Sequence, residues 1–207
     1  MSAAKQEGAR AGRGRRPGPS AAREEILAAA RASFASRGFS GTTIRAVAAE
    51  AGVDAALVHH YFGAKDDLFV ASLDIPLDPR EVLGAAALGP ADSAAERLLR
   101  TFFAMWEDPK LQPGLLAMAR RVLEPDGARL LQDGFLRVVV MPALAPITPD
   151  RAEERIPLVA TQILGLITAR YVLRVDGLAA EEPERLVARL APVIQGFLTG
   201  PLAGPLE

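Results

Sequence analysis

Apolar residues recur at helical spacing along most of the chain. Ile26, Leu27, Ala30 and Phe34 share one face of a predicted first helix that starts at Ser20 and stops at Gly38. Ser20 is the expected cap, and Glu24 and Glu25 follow in the next turn, where carboxylates suit the positive end of the helix dipole. A second, short helix follows Thr42-Thr43, with Ile44, Val47, Ala48 and Ala51 on its apolar side and Gly52 at its end. After Val53-Asp54 a third runs from Ala55 to about Phe62. The break at Gly63-Ala64 leads into a fourth that starts near Lys65 and turns Leu68, Phe69 and Leu73 inwards. Pro76 and Pro79 read as its terminators. Five more helical stretches are expected, at 93–107, 113–123, 128–141, 151–175 and 183–199, punctuated by prolines and Gly177. Neither β-alternation nor an internal repeat is evident, and the predicted fold class is all-α.

Composition narrows this picture. Half of the 207 residues are hydrophobic, which is enough for a sizeable core, and there is no cysteine, which removes disulfides, thiolate metal sites and thiol catalysis together. The longest uncharged apolar run, from Ile156 to Ala169, is shorter than the ~20 residues a membrane span needs. No apolar run follows the basic start, so no signal peptide is read, and a cytoplasmic location is expected. Net charge is −1 but unevenly spread. Up to Leu73 there are ten basic against seven acidic residues, and beyond it fourteen against eighteen. A basic tip on an acidic body is the pattern of a chain whose one end meets a polyanion. Residues 1–19, rich in Ala, Gly, Arg and Pro, read as a disordered basic arm, either a solubilising tail or a strand for an adjacent minor groove.

The segment from Thr43 to Tyr61 has the layout of a helix-turn-helix. Ala48 is small where two helices would cross, Gly52 sits where positive φ is expected, and Val53 and Val58 would pack the second helix on the first. The run Gly38-Phe39-Ser40-Gly41-Thr42-Thr43-Ile44-Arg45-Ala46-Val47-Ala48-Ala49-Glu50-Ala51-Gly52-Val53, continued by Leu57-Val58-His59-His60-Tyr61-Phe62-Gly63-Ala64-Lys65-Asp66-Asp67-Leu68-Phe69, resembles the DNA-binding domain of the TetR family of bacterial regulators. The resemblance covers about the first third of the chain. It implies a three-helix DNA-binding domain at 20–73 and a helical effector-binding and dimerisation domain at 74–207.

Position by position, it places Thr43 and Arg45 at phosphate and groove edge, and Ala55, Ala56 and Leu57 against base edges. His59 would touch backbone or bases, Tyr61 would lie against phosphate, and Lys65 would clamp a phosphate at a helix N-terminus. Ala55, Ala56 and Leu57 have no hydrogen-bonding side chains, so direct readout there is limited to apolar contact such as thymine methyls. Arg13, Arg15 and Arg16 in the arm complete the expected DNA-binding set.

For the rear domain, Arg100, Phe103, Trp106, Met118, Arg121, Gln162 and Tyr171 are the expected lining of an effector pocket, although each aromatic or Met residue taken singly reads more readily as core and each polar one as a surface or interface group. The stretch 151–175 is apolar nearly all round and must be covered on both sides. Together with the last helix it implies a four-helix homodimer interface, with Ile163, Leu166, Ile167, Leu190, Ile194 and Phe197 as its expected residues. Adjacent His59 and His60 point about 100° apart on a helix, which does not make a chelate, so no metal or cofactor is expected. Nucleophile elbows, phosphate loops and zinc-protease motifs are missing from the sequence, and an enzyme is not expected. The resulting expectation is a ligand-responsive regulator, repressor or activator, that binds a pseudo-palindromic operator as a dimer and responds to a small-molecule effector. The competing reading is a helical ligand-binding or ligand-processing protein without specific DNA binding.

Overall fold

The computed structural model describes residues 19–75, 77–124, 127–202 and 204. Among them all regular structure is helical. The arm arginines Arg13, Arg15 and Arg16 lie outside the described residues.

Four helices form the N-terminal head: α1 (Pro19–Gly41), α2 (Ile44–Glu50), α3 (Ala55–Phe62) and α4 (Lys65–Ser72). Ser20 lies inside α1 instead of capping it. Gly38, expected as the stop, is a kink within α1, with φ 70° and ψ 176°. A side chain on Gly38 would also run into Asp133, whose Oδ2 lies 2.7 Å from where a Cβ would stand. The predicted apolar faces converge, with Ile26, Ala30, Phe34, Val47, Val58, Leu68 and Phe69 all buried in one core. At its centre the Phe69 ring stands edge-on to both Phe34 and Phe39, with centroids 5.1 and 5.6 Å away.

The body begins with α5 (Pro79–Ala87), which the sequence reading missed because it took Pro79 for a terminator. Proline has no N–H to lose at a first helical position, and Asp78 caps that turn by accepting a hydrogen bond from Arg80 N at 2.9 Å. Next come α6 (Ala94–Trp106), α7 (Gln112–Val122) and the one-turn α8 (Gly127–Arg129). The chain continues through the π-type segment Leu130–Val140 into α9 (Met141–Leu144). Helix α10 (Ala152–Ile167), extended by the π-type turn Thr168–Val172, and α11 (Pro183–Thr199) close the body. The stretch Leu130–Ile147 is long and apolar enough to cross a membrane by length and composition, yet here it packs between α1 and the body core.

Head and body meet along the π-type segment. Phe69 of α4 lies over Gly134, where a Cβ would come within 2.3 Å of the ring. Arg129 donates to Ser36 O at 2.6 Å and Arg137 to Ser40 Oγ at 2.9 Å. At the α4–α5 link, Arg80 donates to Asp67 Oδ1 at 2.9 Å while also pairing with Asp78 at 2.7 Å.

Three substitutions test this packing. Gly134→Ala should lower stability by about 1–3 kcal/mol in denaturant titration, since the buried Phe69 ring has to shift. Gly84→Ala on α5, which has nothing within 4 Å of a new Cβ, should raise it by about 0.5–1 kcal/mol. The Arg80 guanidinium holds the Asp78 carboxyl below its ordinary value of 3.8. Asp78 therefore contributes stability above that pH and loses it as pH falls through the depressed value. Asp78→Asn, which keeps a capping oxygen, should lower the neutral-pH unfolding midpoint and flatten its acid dependence.

Candidate nucleic-acid interface and effector cavity

The turn between α2 and α3 is built as its residue types require. Thr43 caps α2 by accepting from Ala46 N at 3.1 Å, and Asp54 caps α3 by accepting from Ala56 N at 2.7 Å. Gly52 has φ 66°, the conformation that a side chain would penalise, and Val53 N reaches back to Ala48 O at 2.9 Å. Ala48 is buried at the crossing, and Val58 and Phe62 fix the inner face of α3. Ala56, His59 and His60 consequently stand on its outer, solvent-facing side.

The expected DNA-facing residues divide in two. Thr43, Arg45, Ala56 and His59 are exposed, and the His59 Nδ1 lies 2.9 Å from Gly63 O, which orients the ring at the end of α3. Ala55 and Tyr61 are half-buried and pack against the head core, and Leu57 is half-buried. The Lys65 amine rests over the Phe39 ring, 4.3 Å from its centroid. Burial there holds its pKa below the ordinary lysine value, and the nearby Arg137 pushes the same way against the opposing charge of Asp66. Arg137, a body residue reaching the head, has no precedent in the sequence reading, because its position depends on the tertiary docking of the π-type segment.

Behind the head, the body holds a partly open cavity of about 180 Å³. Its wall combines α6, α7, α10 and the π-type segment, with Ile75, Leu77 and Pro79 of the α4–α5 link at one end. Trp106 and Met118 line it as expected. The other expected lining residues do not. Arg100 is exposed and held by Glu96 and Glu184 at 2.7 and 3.1 Å. Arg121 and Gln162 are half-buried away from the cavity. Phe103 is buried beneath Arg170, whose guanidinium carbon lies 5.6 Å from its ring. Tyr171 backs the wall, stacking on Trp106 at 4.6 Å, and its hydroxyl donates to Glu107 Oε1 at 2.9 Å. Burial and that carboxylate push the Tyr171 phenol well above the ordinary tyrosine range. The polar side chains were assigned to the pocket because they interrupt apolar helices, yet those interruptions mark the outer faces. The lining that was missed (Phe102, Met105, Leu131, Phe135) belongs to the apolar faces themselves.

The expected dimer residues are also redistributed. Leu166 and Ile194 are buried within the single chain, and Ile163, Ile167 and Ile194 line the cavity. Ile163 and Ile167 face inwards because α10 turns that stripe towards the cavity. Leu190 is half-buried against the core. Phe197 remains at the surface groove, beside Leu158, Pro192, Val193 and Gly196. Among the described residues no cluster of three or more His, Asp or Glu stands ready for a metal.

Comparison with known proteins places this architecture. The model of bacterial regulatory proteins of the tetR family matches residues 26–72. The tetracyclin repressor-like C-terminal domain model matches 92–198. Among curated relatives, the HTH-type transcriptional regulator BetI of Brucella anthropi is 38% identical over 76 residues, 37% of this chain and 39% of that protein. The HTH-type transcriptional regulator HbdR of Aromatoleum sp. (strain CIB) is 31% identical over 118 residues, 56% of this chain and 52% of that one. The chain thus spans between two-fifths and about half of these relatives' length. A TetR-family regulator from Streptomyces coelicolor A3 is 33% identical in structural comparison, covering 89% of this chain and 98% of that one with a TM-score of 0.46. With one family model on the helix-turn-helix and a second across more than half of the chain, this protein belongs to the TetR family of bacterial regulatory proteins.

Proposed function

We propose that the protein is a ligand-responsive transcriptional regulator that binds a pseudo-palindromic operator as a homodimer in the cytoplasm and is released by a small molecule held in the body cavity. The observation that carries the reading is the seating of α3. Val58 and Phe62 anchor one side of it, while Ala56, His59 and His60 project from the other, flanked by exposed Thr43 and Arg45. A helix held this way enters a major groove end-on, and a twofold pair of them reads half-sites about 34–36 Å apart. Thr43 and Arg45 are assigned to backbone, Ala56 and Leu57 to apolar base edges, and His59 to the groove. Lys65 is assigned to a phosphate reached from its seat on Phe39. The relatives BetI and HbdR are likewise named transcriptional regulators.

The dimer surface is assigned to the outer faces of α10 and α11. Val193 is 47% exposed there, Leu158 and Phe197 border the same groove, and the exposed Gly165 and Gly196 have open space around them, which permits close helix approach. Cavity and link are contiguous, since Ile75, Leu77 and Pro79 line the cavity immediately after the head ends. An occupant favouring one setting of that link shifts the heads only by its difference in affinity between the two forms, typically ~1–3 kcal/mol.

Gel-shift and fluorescence titrations against DNA flanking the coding region test this. Saturable binding that weakens steeply with salt is expected, and Lys65→Ala should weaken binding to all sequences alike and flatten the salt slope by about one unit. Loss confined to one base pair would contradict the phosphate role, and no operator binding at all would remove the regulator reading. Val193→Glu should yield monomers in sedimentation with poor operator affinity; a dimer that persists would displace the interface from this face.

A further inference from the structure

Of the described residues that line the body cavity, Thr101 alone carries a hydroxyl, and none carries a charge. Wall chemistry of this kind selects among ligands. An ion entering the cavity would leave water and find no counter-charge, and burying an unpaired charge is far costlier than burying hydrocarbon. Arg100 and Glu107, which flank lining residues in sequence, and Arg170 are paired away from the cavity. Arg100 is on the surface with Glu96 and Glu184, and Arg170 is tied to Glu107 and to the carbonyls of Leu178 and Glu181. Glu107 in turn accepts from the Tyr171 hydroxyl on the far side of Trp106. Volume bounds the ligand further. An apolar cavity of about 150 Å³ takes up benzene, and the space here is about 180 Å³. That suits one aromatic ring with a short substituent.

Resting on the effector reading of this cavity, we propose that its ligand is an uncharged, mainly hydrocarbon compound of single-ring size, carrying at most one hydrogen-bonding group for Thr101. Two aromatic side chains of the wall, Phe102 and Trp106, lie 5.8 Å apart and offer ring faces and edges to such a molecule. The flexible thioethers Met105 and Met118 adapt to its outline. Thr101 then discriminates among neutral ligands, favouring those that present a hydroxyl over pure hydrocarbons of the same shape.

Trp106 is the single tryptophan of the chain and stands in the wall, so its emission reports occupancy without any DNA present. The full-length protein is titrated with ethylbenzene, 2-phenylethanol, phenylacetate and 2-phenylethylammonium, followed by Trp106 fluorescence and calorimetry. The two neutral compounds should saturate, and both ions should bind at least about a hundredfold more weakly. Thr101→Val should weaken 2-phenylethanol several-fold and leave ethylbenzene unchanged. Ala160→Phe, which fills the cavity, should abolish binding. Should that variant lose its helical circular dichroism, Val140→Phe does the same from the opposite wall. Ions binding as tightly as ethylbenzene, no saturable response to either neutral compound, or undiminished affinity in a folded cavity-filled variant would overturn the assignment. Operator binding by the ligand-free protein is measured in parallel. Its failure counts against the regulator reading, whereas intact operator binding with no uptake of the neutral compounds counts against this one alone.

Discussion

One missing methyl group holds the two halves of the molecule together. Gly134 lets the Phe69 ring lie directly on the backbone of the π-type segment, so that the aromatic centre of the head continues into the body core with no solvent layer between. Interiors are packed as densely as organic crystals, and the orientation of the head is therefore referred to the body through contact and not through a slack linker. The flanking hydrogen bonds from Arg129 and Arg137 to the end of α1 add direction to what the ring contact supplies in area. The same segment then turns Leu131, Phe135 and Leu136 towards the cavity. The backbone that fixes the head is thus also a wall of the space in which a ligand would sit.

Side chains that border that space lack neighbours on one side and forgo the packing contacts they would otherwise make. The apolar wall keeps water from replacing those contacts, since water needs two or more polar partners to settle in a cavity. An occupant that restores the missing contacts stabilises the body directly. A cavity of this type therefore couples ligand chemistry to stability before any question of DNA arises.

The sequence made the head legible because each of its constraints is local. Ala48 at a crossing, Gly52 at positive φ and Val58 at the inner face are set by residues within a few turns of one another, and the structure has all three where spacing puts them. The body was legible only as a set of helices. Helix α5 escaped because proline looks alike whether it ends one helix or starts another, and only the Asp78 cap decides. Helix α10 is apolar on nearly every side, so its hydrophobic pattern has no phase to say which stripe faces inwards. Ile163 and Ile167, expected at the dimer interface, line the cavity, and Leu166 is buried within the chain. In the π-type segment i→i+5 bonding brings Leu131, Phe135, Leu136 and Val140 to one wall, a grouping that a reading at 3.6 residues per turn does not gather.

The two faces of α10 tie these observations together. Val159, Ala160, Ile163 and Ile167 look into the cavity, while Pro157, Thr161 and Gly165 lie on the outer side, next to the exposed groove with α11. On the dimer assignment, ligand and partner subunit press on opposite sides of one helix, a single layer of side chains apart. A π-type turn follows at Thr168–Val172, and its Arg170 is anchored to Glu107 at 3.0 Å and to the carbonyls of Leu178 and Glu181. The far end of α10 is thereby pinned while its middle has the cavity on one side and small residues on the other. Its near end is held too, by Arg155 donating to the carbonyls of Phe197 and Gly200 at 2.9 Å, so the helix yields first in its middle, where it borders the cavity. Filling the cavity would be felt at the α10–α11 seam as well as at the link to the head.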